Sequence, residues 1–355
     1  MSAARSHLAA LASAPRPAGG EAERRAREYC ARTLRAAGFE VSEHPFGYST
    51  FPGMWGTPIA GVLAAMMFAA SGYAGARGDA RSAIEILIAG AALLGAMAWW
   101  LGRWGVLDLP FARAASTNLA ATRGAPTLWL VAHLDSKSQP VPIGVRAAAI
   151  SALMVLWVVA AGLALSQLAG ALPSWLWIPV ASLGMLASIP VAATLVGARS
   201  PGALDDASGV ATVLRVAELL GPETEIGVLL TSGEELGLAG ARAWARKSAP
   251  GMAINVDGVD DTGALRLIVS RSPQRALLAM LGAPAWPAPV RLLPGVLMDG
   301  VALSDAGWDV VNVSKGSWRT VSRIHTPRDD LARLEGSGVE EVATMLVGAI
   351  ATGRH

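Results

Sequence analysis

Residues 225–240 read EIGVLLTSGEELGLAG. The first half is an apolar run of strand length, and Ser-Gly closes it. A short continuous apolar run bounded by turn residues is the pattern of a strand buried on both faces. Two adjacent glutamates, Glu234 and Glu235, follow at once. Uncompensated, neighbouring carboxylates at the end of a buried strand repel each other and lose hydration. Two environments tolerate such a pair. One is a solvated turn. The other is a metal site that takes one glutamate as a ligand and the other as a base.

Outward from this stretch, strands and helices alternate. FEVSEHPFGY (39–48), STNLAAT (116–122), TLWLVAHL (127–134), MAINVDG (252–258), ALRLIVS (264–270) and DVVNVS (309–314) read as strands. Residues 20–37, 208–220, 238–247, 273–281 and 337–351 read as helices, and GAPAWPAP (282–289) reads as a surface loop. This alternation predicts an α/β fold with a mixed, mostly parallel sheet flanked by helices. Ligands of such sheets bind beyond the carboxyl ends of the strands. The first three strands are expected to pair antiparallel in succession.

Four apolar runs interrupt this pattern, at about 57–76, 83–102, 147–169 and 174–197. Each has the ~20 residues needed to cross a bilayer. They predict four transmembrane helices in two hairpins, turning at ARGDARS (76–82) and SQLAGALPS (166–174). Trp99, Trp100, Trp104, Trp175 and Trp177 sit near the run ends, where interfacial tryptophans are expected. The division is then a catalytic domain formed by 1–54, 105–142 and 199–355, with hairpins at 55–104 and 143–198. Composition agrees: 53% of residues are hydrophobic and 16% charged. The net charge of +2 implies no nucleic-acid partner, and the single cysteine, Cys30, excludes an internal disulfide and a thiolate metal cluster.

Five weak signals at segment ends form one inventory. His133 and Asp135 end a strand and, as i and i+2, share a face. Asp205 and Asp206 precede a helix, where capping is the simpler explanation. Asp257 ends an apolar strand, and His325 lies before Thr-Pro. Alone each is a surface pair, a cap or a turn residue. Together His133, Asp205, Glu235, Asp257 and His325 offer the N and O donors that zinc accepts, enough for two Zn2+ ions. Glu234 is left over as a base. Co2+ or Mn2+ suits the same donors.

The ordered segments AHLDS, GALDDASGVA, TSGEELGLAGA, NVDG and IHTPRDD resemble the zinc aminopeptidase family that also contains glutamate carboxypeptidases, family 28 of the metallopeptidases. The resemblance implies that His133, Asp257 and a bridging Asp205 hold one zinc. Glu235, His325 and the same Asp205 hold the other. Glu234 is the implied general base, and Asp135 orients His133. ALSDAGWDVVNVS (302–314) is similar to the family's Ser-Asp and following strand. Leu204 and Ile324 stand where Asn and Tyr are common in the family.

The implied activity is hydrolysis of peptide bonds, most simply an aminopeptidase acting on a peptide or protein substrate. The alternatives are a glutaminyl cyclase-like acyltransferase and a non-catalytic membrane binding protein on a peptidase scaffold. Both hairpins are expected to leave the sheet at its metal-bearing edge, so the site is expected to face the bilayer. Arg103, Arg113, Lys137, Arg146 and Arg199 flank one side against Arg77 and Arg81 on the other, which predicts a cytoplasmic catalytic domain.

Overall fold

The computed structural model describes residues 2–271, 275–282, 286–293 and 295–352, without side chains for Trp104, Arg275 and Ala276. The side chain of the expected interfacial Trp104, the first residues of the expected 273–281 helix and residues 283–285 of the expected loop therefore lie outside what is described. The chain divides into two units. Unit 1 is Met1–Thr50, Val106–Ser138 and Gly197–His355; unit 2 is Phe51–Gly105 and Gln139–Val196.

Unit 1 is built on an eight-stranded sheet. Its strands are β1 (Glu40–Ser49), β2 (Arg113–Arg123), β3 (Leu128–His133), β4 (Ile226–Thr231), β5 (Met252–Val259), β6 (Ala264–Val269), β7 (Val290–Arg291) and β8 (Asp309–Gly316). The spatial order is β1-β2-β4-β3-β5-β8-β6-β7. The pairs β4–β3, β3–β5, β5–β8 and β6–β7 are parallel, and β1–β2, β2–β4 and β8–β6 are antiparallel. The sheet is thus mixed and mostly parallel. One expectation fails: β2 and β3 do not pair, because β4 inserts between them. All six residues of β4 are buried, and an all-apolar strand gains most from neighbours on both edges and layers on both faces. β1 still runs in the direction of β3, since β2 is antiparallel to both β1 and β4.

Alternation along the strands sorts the core into two layers. Leu130, Ala132, Val228, Leu230, Ile254 and Val256 face one side, packed with the Ser208–Leu219 and Ser337–Thr352 helices. Val131, Leu229 and Ala253 face the other, where Leu303 and Trp308 close over them. The helices Glu21–Ala36 and Ala3–Leu11 complete the first layer. At about 25 cal/mol per Å² of buried apolar surface, these layers supply the main drive for folding unit 1.

Unit 2 holds four helices long and apolar enough to cross a membrane: Phe51–Ala76, Ala80–Arg103, Ile143–Leu168 and Ser174–Ala192. Close packing rests on small residues, as in membrane helix pairs. A Cβ on Gly61 would sit 2.3 Å from the Ala192 backbone nitrogen, and one on Gly75 2.1 Å from the Trp177 ring. Trp177 is the exception among the expected interfacial tryptophans. It is fully buried, whereas Trp99, Trp100 and Trp175 are exposed. The gap left by Gly75 admits its indole, and its Nε1 donates to Gln167 Oε1 at 2.8 Å. Met66, Met154, Val158, Ile178 and Leu186 stand outward, an apolar surface that a water-soluble domain rarely presents.

Candidate metal centre

The parallel strands β3, β4 and β5 end together, and their carboxyl ends deliver the site. His133 is the last residue of β3, Glu234 and Glu235 follow β4 in the turn after Ser232-Gly233, and Asp257 lies near the end of β5. Gly233 has φ +70° and Gly237 φ +109°, so the turn carrying both glutamates uses glycine where the backbone is left-handed. Asp205 comes from the loop before the Ser208–Leu219 helix, and His325 from the loop after β8, itself at φ +60°.

Asp205 is central. Its Oδ1 lies 3.0 Å from His133 Nε2, and its Oδ2 lies 3.0 Å from His325 Nε2. His325 Nε2 is also 3.0 Å from Glu235 Oε2, and His133 Nε2 is 4.0 Å from Glu234 Oε2. Two donor groups result: His133, Glu234 and Asp257, and Asp205, Glu235 and His325, each with its ligand atoms within 4.8 Å of one another. All five residues named as ligands from the sequence, and the named base, therefore gather in one place. The grouping differs in one respect, since Glu234 stands with His133 and Asp257 and Asp205 spans the two imidazoles.

These donors fit zinc. Ligand atoms around a tetrahedral zinc at ~2.0–2.2 Å must lie roughly 3.3–3.6 Å apart, close to the spacings found. The Nδ1 of His325 is buried without a hydrogen-bond partner among the described residues. In the metal-free protein the cluster is electrostatically unbalanced. Burial drives Glu234 well above the usual carboxylate range, and the neighbouring Glu235 adds to it. Burial likewise lifts Asp257 to about 7. Glu235 goes the other way: burial raises it, but His325 and Lys137 outweigh burial and hold it below its ordinary value. Burial alone would lower both imidazoles, yet the surrounding carboxylates raise His133 strongly and raise His325 as well. Asp205, bonded to both imidazoles, falls well below the carboxylate range despite its burial. A divalent cation would balance such a set of buried acids.

Asp135 has a wider part than orienting His133. His133 Nδ1 lies 3.0 Å from the Asp135 carbonyl oxygen and 3.6 Å from its carboxylate. The carboxylate itself accepts the backbone N–H of Glu234 at 3.1 Å and of Glu235 at 3.2 Å. Asp135 thus pins the two-glutamate turn. Asp206, read from sequence as a cap, is fully buried and accepts the N–H groups of His133, Gly209 and Gly258. It ties the ends of β3 and β5 to the helix start. Asp329 accepts the N–H of Leu204 at 2.6 Å and of Asp205 at 3.2 Å, which fixes the Asp205 loop.

Two site residues escaped the sequence reading. Asp299 opens the Asp299–Asp305 helix, is buried, and accepts a short hydrogen bond from Thr231 Oγ1. Burial raises it to about 6. Ser304 and Asp305 end that helix before β8, and Asp305 pairs with the exposed Arg271 at 3.2 Å. The signal for Asp299 was an acid in the first turn after a loop, which helix capping explains equally well. Lys137, counted from sequence as a membrane-flanking charge, is instead paired with Glu235 at 2.7 Å.

The parallel strand ends thus present two His–carboxylate groups that could each hold a metal ion. Residues 188–350 match the model of Peptidase family M28. That segment carries Asp205, Glu234, Glu235, Asp257 and His325, and the match is to the family that the motifs resemble. Among curated protein sequences, none matches the chain. Among solved structures, the fold is similar to a zinc aminopeptidase from Bacillus subtilis, with a TM-score of 0.56, 14% identity, and coverage of 98% of this chain and 94% of that one. It is similar to the aminopeptidase of Aneurinibacillus sp. strain AM-1, with a TM-score of 0.53, 14% identity, and coverage of 98% and 92%. It is equally similar to the Porphyromonas gingivalis glutaminyl cyclase, with a TM-score of 0.56, 15% identity, and coverage of 99% and 98%. The fold is that of the zinc aminopeptidases.

Proposed function

We propose that this protein is a membrane-integrated, zinc-dependent metallopeptidase that acts as an aminopeptidase. The observation that carries the reading is Asp205, whose two oxygens each lie 3.0 Å from a different histidine, with Glu234 and Glu235 beside them. His133, Asp205, Glu235, Asp257 and His325 would hold up to two zinc ions. Bound zinc supplies Lewis acidity toward a peptide carbonyl and acidifies water to a pKa of roughly 7.

The chain's own residues do the rest. Glu234 is the general base: it is buried in the cluster, 4.0 Å from His133, where it can take a proton and return it to the leaving amine. Asp135 holds Glu234 and Glu235 in place through their amides. Glu234→Gln in the full-length protein tests the assignment. It should retain zinc and lose cleavage of aminoacyl substrates, whereas equal turnover in both proteins removes Glu234 from the mechanism.

A cyclase reading has specific support, because the fold matches glutaminyl cyclases as well as aminopeptidases. Peptides with N-terminal glutamine separate the two: cyclisation without cleavage of other peptides favours the acyltransferase.

Connectivity bears on the substrate. Thr50 directly follows the carboxyl end of β1, its N–H bonding to Ala112 before β2, and Ser138 lies five residues past His133 and bridges Gly197. Every crossing out of unit 1 is therefore at the strand edge that carries the site. We propose that peptides reach this edge from the membrane surface, with unit 1 cytoplasmic. Lys137 no longer counts toward that orientation, which rests on Arg103, Arg113, Arg146 and Arg199. Alkaline extraction of membranes tests the integration, and protease protection of unit 1 in oriented vesicles tests its side. Release by alkali, or protection on the wrong side, overturns them.

A further inference from the structure

The two donor groups are not equivalent, and the difference lies in a residue outside both. Lys137 Nζ lies 2.7 Å from Glu235 Oε2 and 3.2 Å from the Glu235 carbonyl oxygen. The Lys137 N–H donates to Glu235 Oε1 at 3.2 Å. Both carboxylate oxygens of Glu235 are thus engaged by one residue, and Oε2 also faces His325 Nε2 at 3.0 Å. The lysine side chain is only 17% exposed and the Glu235 side chain 3%, so water screens this contact poorly. Lys137 is fixed at its base too. Ser136 before it donates its Oγ to the Ser200 carbonyl, and Ser138 after it pairs backbone to backbone with Gly197.

We infer that Lys137 makes the centre asymmetric, so that a divalent ion binds tightly at His133 and Asp257 and at least tenfold more weakly at Asp205, Glu235 and His325. The inference rests on the metallopeptidase reading above. The physical reason is charge. An ion entering the second group meets an ammonium on the oxygen it needs, and like charges at such separations in a buried site repel strongly. Among the described residues no ammonium or guanidinium forms an ion pair with Asp257 or Glu234 at such a distance: His133 faces Asp205 and, at 4.0 Å, Glu234. With the weak position empty, the ammonium takes over part of the missing ion's charge and keeps Glu235 oriented toward His325. Lys137 is therefore a positioning residue that acts through Glu235 and sets how many ions the centre holds at limiting zinc.

The test is zinc titration of the metal-stripped, full-length protein by calorimetry with a competing chelator. Two steps separated at least tenfold are expected. His325→Ala should remove the weaker step and His133→Ala the tighter one. Lys137→Met should strengthen the weaker step at least tenfold, while Lys137→Arg should leave the gap open. Two steps of equal affinity in the wild type, or a weaker step unchanged in Lys137→Met, overturn the inference. Should Lys137→Met fail to fold by circular dichroism, the two histidine variants decide the matter by which step each one removes. Loss of the tighter step in His325→Ala is then the refuting result. Absence of any zinc binding in every protein refutes the metallopeptidase reading itself, a result distinct from equal affinities.

Discussion

Replacing Asp135 by Asn should unfasten the turn that carries the catalytic glutamates. In the wild type the carboxylate accepts two amide N–H groups, from Glu234 at 3.1 Å and from Glu235 at 3.2 Å. It is buried, with 1% exposure. Asparagine keeps one acceptor and turns an NH2 toward the other amide. One charge-assisted hydrogen bond is lost, about 1.5–3 kcal/mol, and one buried N–H is left unpaired, about 1–3 kcal/mol. The expected destabilisation is therefore about 2.5–6 kcal/mol. For a folded unit of 150–250 residues that corresponds to a melting temperature lower by about 5–24 °C. Scanning calorimetry of the detergent-solubilised protein measures it, with and without zinc. Turnover at a temperature where the variant is folded should fall by at least ~100-fold, because Glu234 loses its placement. The competing idea, that Asp135 serves only to orient His133, predicts a loss of zinc affinity with little change in stability. A melting temperature within about 2 °C of wild type would refute the reasoning from the two amides.

Other outcomes follow from the same geometry. Glu234→Gln should keep zinc, by metal analysis, while turnover falls by about 10²–10⁴-fold, the usual worth of a general base. Asp257 titrates near 7 in the fold against an ordinary 3.8, so its share of the metal-free protein's stability is complete below the ordinary value and is lost as pH rises through 7. Zinc takes the deprotonated form, so the gap in melting temperature between loaded and stripped protein should widen from about pH 5.5 to about pH 8; a constant gap counts against Asp257 as a ligand. Gly209→Ala would place a Cβ 2.3 Å from Asp206 Oδ1 and the Val256 carbonyl oxygen. It should cost at least about 1–3 kcal/mol and weaken zinc binding, both read by calorimetry. Gly75→Val should expel Trp177 from its pocket and shift its fluorescence, with unit 2 less stable by about 1–3 kcal/mol.

Much of the centre was legible because its chemistry sits where secondary structure ends. Apolar runs mark β3, β4 and β5, and the acids and imidazoles that follow them stand out against 53% hydrophobic residues. Order along the chain sufficed to gather His133, Asp205, Glu234, Glu235, Asp257 and His325. It also marked the four long apolar helices, whose length and composition are local properties.

What the sequence determined by itself, then, was local: strand and helix periodicity, the membrane-length runs and the residue types able to hold a metal. The tertiary structure decided the rest. It placed β4 between β2 and β3, brought Asp299 onto the end of β4 at Thr231, buried Trp177 against Gly75, and turned Lys137 from a flanking charge into the partner of Glu235. Each of these depends on contacts between residues far apart in the chain. Periodicity reports which face of an element is apolar, but the neighbour that covers it, and the charge that meets it, exist only once the chain has folded.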